Sequence, residues 1–105
     1  RGGGGSFLVV GAAMSSVMEG EFTIVNALGL HARAAAQLVK LANRYRSEVS
    51  IECDGQRVNG KSIMGVLMLA AAQGARVKVR CDGEDANRCL AEIAVLIGNR
   101  FGEDQ

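Results

Sequence analysis

Tryptophan and proline are absent from the 105 residues, histidine and tyrosine occur once each, and phenylalanine three times. Any step that needs an imidazole must therefore use His31, and a site built on two imidazoles is excluded. Neither sign of charge dominates, because 12 Lys and Arg stand against 11 Asp and Glu, a formal charge of +1. That balance lacks the basic footprint of a protein held on phosphate backbones, so no nucleic acid partner is expected. Cys53, Cys81 and Cys89 are an odd set without C-x-x-C spacing, unsuited to a disulfide framework or a zinc centre. They read as small buried hydrophobes in a reducing compartment, with no metal and no cofactor called for. The apolar run from Phe7 to Ala13 is far shorter than the ~20 residues a bilayer span takes, and it lacks the pattern of a cleavable signal. Direct membrane insertion is not expected, and a cytoplasmic location is.

What is present suits one small domain rich in Leu, Ile, Val and Ala. Residues 1–17 open on Arg-Gly-Gly-Gly-Gly-Ser and read as a cloning-derived or disordered leader, with a natural start at Met14 or Met18. The folded unit is expected over residues 18–100, with residues 101–105 as a C-terminal tail.

From Glu21 to Asn26 the chain alternates as a strand, with Phe22 and Ile24 on one face. Ala32 to Tyr45 carries Ala35, Leu38, Leu41, Ala42 and Tyr45 at helical spacing. Glu48 to Cys53 alternates strictly and meets Asp54-Gly55, a strong hairpin signal, before a return strand over Gln56 to Asn59. Ser62 is a natural N-cap for a short helix through Leu69, with Gly74 as its stop. A strand over Arg76 to Cys81 follows, then a last helix capped by Glu84 or Asp85, with an apolar stripe from Ala86 to Ile97. The second strand turns Glu48, Ser50 and Glu52 to one side and the fourth turns Arg76, Lys78 and Arg80, so these two strands should be neighbours. The expected architecture is α+β, an open-faced sandwich whose four-stranded antiparallel sheet is covered by helices on one face.

Chemistry has one natural seat, Gly29-Leu30-His31-Ala32-Arg33-Ala34. His31 stands where a glycine turn enters a helix, so unpaired amides and the positive dipole end favour an anion there. A phosphoryl group held by the imidazole would meet those amides and the guanidinium of Arg33. The same position also suits an ordinary surface cap, and spacing alone does not separate the two. Residues two apart share no face of a regular helix, so Arg33 reaches the ring only if His31 sits at or before the first turn. In Lys61-Ser62-Ile63-Met64-Gly65-Val66-Leu67, Ser62 could accept a phosphate at a helix start, and Ile63, Met64 and Leu67 could form a docking patch. Read locally, a plain N-cap with core residues behind it fits equally.

GLHARAAAQLV, followed about thirty residues on by NGKSIMGVLML, closely resembles the HPr family, the histidine phosphocarriers of the bacterial phosphoenolpyruvate:sugar phosphotransferase system. The resemblance runs from about Glu21 to Ile97. It implies that His31 is phosphorylated on Nδ1, that Arg33 is its companion cation, and that Ser62 matches the serine phosphorylated by the HPr kinase/phosphorylase. It further implies that Ile63, Met64 and Leu67 dock enzyme I and the IIA domains, that the sheet order is one, four, two, three, and that the carrier is monomeric. The sequence departs from the family at Ala34, where a proline normally stands; alanine keeps the helix but leaves its entry less preset. Two other readings are a nitrogen-related paralogue serving a regulatory IIA partner and a non-catalytic α+β interaction module. The module would need stacking aromatics on its open face, and the strands supply only Phe22, turned inward.

Overall fold

The computed structural model describes residues 16–105, and the leader expected over residues 1–17 lies outside the described residues up to residue 15. Within them the chain runs β1 (Val17–Thr23), α1 (Ala32–Ala42), β2 (Glu48–Cys53), β3 (Gln56–Asn59), α2 (Ile63–Met68), β4 (Arg76–Asp82) and α3 (Ala86–Gly98). A 3₁₀ turn over Arg100–Gly102 follows. The strands form one sheet in the order β1-β4-β2-β3, every pair antiparallel. One sheet face, carrying Val49, Ile51, Cys53, Val77, Val79 and Cys81, is buried against Ala35, Leu38, Ile93 and Ile97 of the helices. The opposite face is polar, so the open-faced sandwich of the sequence reading is the fold.

Charge sets the neighbours on that polar face much as alternation suggested, with one difference. Glu52 does stand opposite Lys78, but Glu48 stands opposite Asp82. Acids for the remaining bases come from β1: Glu21 pairs with Arg76 at 2.8 Å and Glu19 with Arg80 at 3.4 Å. All of these groups are well exposed, so they select register more than they add stability.

Several boundaries move, each for a local reason. Val17 opens β1 instead of ending a leader, and the strand alternates exposed and half-buried positions from there to Thr23. Gly20 hides this from a propensity reading; a Cβ there would lie 2.9 Å from the Phe22 ring. Helix α1 stops at Ala42 rather than Tyr45, because the Asn43 side chain takes up Val39 O at 2.9 Å. Helix α2 ends before Ala70, which has φ 49°, while Gly74 serves the entry to β4 through its N–H to Ile24 O. Cys53, Cys81 and Cys89 are free and buried, as expected of small hydrophobes.

Asp85 precedes α3 but does not cap it with its side chain. Its carboxylate instead accepts from the amides of Arg46 and Ser47, at 2.9 and 3.0 Å, and from the Ser47 hydroxyl. Ser47 is fully buried, so this knot fastens the α1–β2 corner to the start of α3. The Ser47 hydroxyl, then the Arg46 amide, hold the Asp85 carboxyl down at about 2.

The largest correction concerns residues 101–105, which are part of the fold and not a tail. Phe101 is completely buried in the core, and Ala27 N–H donates to Gln105 O at 3.0 Å. Arg100 and Phe101 both take left-handed backbone angles, φ 59° and 55°, which turn the chain back across the end of the sheet. Such angles are unfavourable for bulky residues and persist only where packing over-determines them.

Two measurements follow. Phe101→Ala should cost about 3–5 kcal/mol in urea unfolding, the range for emptying a buried phenylalanine site; a change within error would return residues 101–105 to the status of a tail. Because the Asp85 carboxyl is depressed in the folded chain, its contribution is complete above the ordinary carboxylate range and is lost as pH falls toward about 2. The stability gap between the wild type and Asp85→Asn should therefore be widest near neutrality and close below pH ~4, read as urea midpoints across pH.

Candidate functional site

The segment between β1 and α1 is held before any helix begins. Gly29 has φ +68°, and a Cβ there would lie 2.5 Å from Ala71 O, so only glycine fits. The next amide, Leu30 N–H, donates to Ala71 O at 2.8 Å, and the Leu30 side chain is buried. With its predecessor pinned, His31 takes an extended conformation at the N-cap of α1 (φ −75°, ψ 179°) and its carbonyl accepts from Ala35 N–H at 2.8 Å. The amides of Ala32, Arg33 and Ala34 thus precede the first bond of the helix. This placement satisfies the geometric condition set by the sequence, that the histidine lie at or before the first turn.

The imidazole is 27% exposed, and its Nε2 is hydrogen-bonded to Glu103 Oε2. Nδ1, the other ring nitrogen, has no hydrogen-bond partner among the described residues. The second oxygen of Glu103 accepts from the Asn26 side-chain amide at 2.9 Å, and the same amide nitrogen donates to Gly29 O at 2.8 Å. Asn26 is fully buried. The Asn26 amide first, and His31 second, lower the Glu103 carboxyl below its usual range, with Arg33 adding to the effect. Glu103 is therefore a carboxylate at neutral pH.

Arg33 is exposed on the first turn of α1. It makes no ion pair among the described residues, and it lines an open cavity of about 370 Å³ together with Ala27, Leu28, Glu103 and Gln105. The guanidinium and the His31–Glu103 pair thus border one solvent-filled space. Ala34 is completely buried, so a proline-free helix entry is filled by core packing.

Ser62 is the N-cap of α2, its hydroxyl accepting from Gly65 N–H at 3.1 Å. The turn before it is built on Asn59, which takes the Lys61 amide on its side chain and the Ser62 amide on its carbonyl. Ile63 and Met64 are exposed, at 44% and 72%, whereas Leu67 packs partly into the core. Met68 and Leu28, exposed at 64% and 70%, were not singled out from the sequence. Neither were Asn26 and Glu103. Spacing could not have paired residues 77 apart with one another; the only hint is an acid two residues beyond Phe101, an isolated large apolar residue past the end of the last helical stripe.

The family model described as "PTS HPr component phosphorylation site" matches residues 18–99. Phosphocarrier protein HPr of Xylella fastidiosa (strain Temecula1) is 47% identical over 88 residues, covering 84% of this chain and 99% of that protein. The crystal structure of HPr-C-His from Thermoanaerobacter tengcongensis superposes with a TM-score of 0.81 at 39% identity, over 84% of this chain and 99% of that one. A crystal structure of an HPr dimer from the same organism gives 0.67 at 40% identity, over 78% of this chain and 94% of that one. The glycine-pinned histidine at a helix start, the sheet order and these likenesses agree: this chain belongs to the HPr family, the phosphocarriers of the phosphotransferase system.

Proposed function

We propose that the chain accepts a phosphoryl group on His31 Nδ1 from phospho-enzyme I and yields it to a IIA domain of the sugar phosphotransferase system. The observation that carries this reading is the division of labour on the ring: Nε2 is engaged by Glu103, and Nδ1 is not engaged. A neutral imidazole has one N–H and one lone pair, so a carboxylate on Nε2 places the lone pair on Nδ1. That nitrogen belongs to the residue that opens α1, where unpaired amides favour an arriving anion. Arg33, exposed beside the cavity, is free to add a charge-assisted contact to the phosphoryl oxygens. An open site with one guanidinium and some amides stabilises phosphate without burying it, which suits a group that must move on.

Ser62 is the regulatory site of this reading, a substrate for the HPr kinase/phosphorylase, and Ile63, Met64 and Leu67 take part in docking. Exposed Met64 and Met68 suit a surface that meets partners of different shape, since methionine adapts its packing. A phosphate on Ser62 is tolerated by the start of α2 but sets a dianion beside Ile63 and Met64, which a partner must desolvate. The carrier acts as a monomer while it presents this face to successive partners.

Incubated with phosphoenolpyruvate and enzyme I, the wild type should take an acid-labile label and His31→Ala none; label on His31→Ala would overturn the assignment. Ser62→Asp should weaken enzyme I binding on the order of tenfold in a calorimetric titration, and an unchanged Kd would remove Ser62 from regulation of docking.

A further inference from the structure

The carboxylate at His31 is gripped from both sides. Glu103 Oε1 receives the amide of fully buried Asn26, and Oε2 meets His31 Nε2. Asn26 turns its nitrogen to Gly29 O as well as to Glu103, although this leaves its own buried Oδ1 without a hydrogen-bond partner. The amide is thus oriented for two acceptors, one in the loop that sets His31 and one in the side chain that holds the ring. The segment bearing Glu103 is fixed in turn by the buried Phe101 ring, by two consecutive left-handed residues and by the Ala27 N–H bond to Gln105 O. A surface ion pair needs none of this, and its partners are seldom so constrained.

We propose that Glu103, held by Asn26, is a positioning residue for phosphoryl transfer at His31, an inference that rests on the carrier reading above. By accepting the Nε2 hydrogen it sets both ring orientation and tautomer. In the forward step the Nδ1 lone pair forms the new phosphorus–nitrogen bond. The bond from phosphorus to the donor's nitrogen breaks, and its electron pair leaves with that nitrogen. No proton moves: Nε2 keeps its hydrogen, and the positive charge that the ring acquires is offset by the carboxylate already in contact with it. Onward transfer reverses these changes, so the same carboxylate serves both directions. Arg33 has a separate task, since it faces the cavity that the phosphoryl group enters.

The test uses the full chain, with two phosphoryl donors and one spectroscopic readout. Phosphoramidate, which phosphorylates imidazole without a protein partner, reports on the ring itself; phospho-enzyme I adds docking. Glu103→Gln, which keeps the shape and removes the charge, should be labelled at His31 about tenfold more slowly, or worse, by both donors. In nitrogen-15 NMR the wild-type ring should carry its hydrogen on Nε2, with a slowly exchanging, downfield proton that Glu103→Gln loses. An Nδ1–H ring in the wild type overturns the proposal whether or not the variant folds. So does labelling of Glu103→Gln by phosphoramidate at the wild-type rate, even if transfer from enzyme I is slowed, because the effect would then lie in docking. A wild-type chain that takes no label at His31 from phospho-enzyme I removes the carrier reading itself, a result distinct from slow labelling of the variant alone.

Discussion

A single carboxylate, placed by the last turn of the chain, holds together the part of this molecule that does chemistry. Glu103 lies 72 residues from His31 and 77 from Asn26, yet it hydrogen-bonds to both. The placement depends on the fold as a whole. β1 must end beside the end of α3 for the loop and the last turn to meet, and the β1-β4-β2-β3 order provides this, because α3 packs on β1 and β4. Phe101 then fixes the rotation of the last turn by burying its ring. Core packing is thereby converted into orientation of one imidazole.

The elements that were legible in the sequence share a property: their signals are local. Alternation in Glu48–Cys53, the Asp54-Gly55 turn and the Ser62 cap each speak within a few residues, and each is where the pattern puts it. Asp54 and Gly55 adopt φ 52° and 82°, the left-handed pair that a tight hairpin requires. Strand adjacency was legible through charge because β2 and β4 carry opposite signs, although the pairing of Arg76 and Arg80 with β1 was not. Alternation reports which face a side chain takes; it does not report which neighbour that face will meet.

The candidate site was half legible for the same reason. His31 stood out by rarity and by its glycine-led helix start, and Arg33 by nearness in sequence. Asn26 resembled a turn residue and Glu103 a solvated terminal acid, since each acquires its role only from the other and from His31 across the fold. Asp85 shows the limit in reverse. It has the residue type and position of an N-cap, but two amides and a hydroxyl from the α1–β2 corner outcompete its own helix for the carboxylate.

The bond from Ala27 N–H to Gln105 O has a practical side. Gln105 lines the cavity that Arg33 borders, so anything fused after it begins at the lip of the phosphoryl site. Val17, by contrast, starts β1 at the far end of the sheet, about 20 Å of strand from the loop that carries His31. Affinity handles, fluorophores and surface tethers therefore belong ahead of β1, where they leave the transfer face open to its partners.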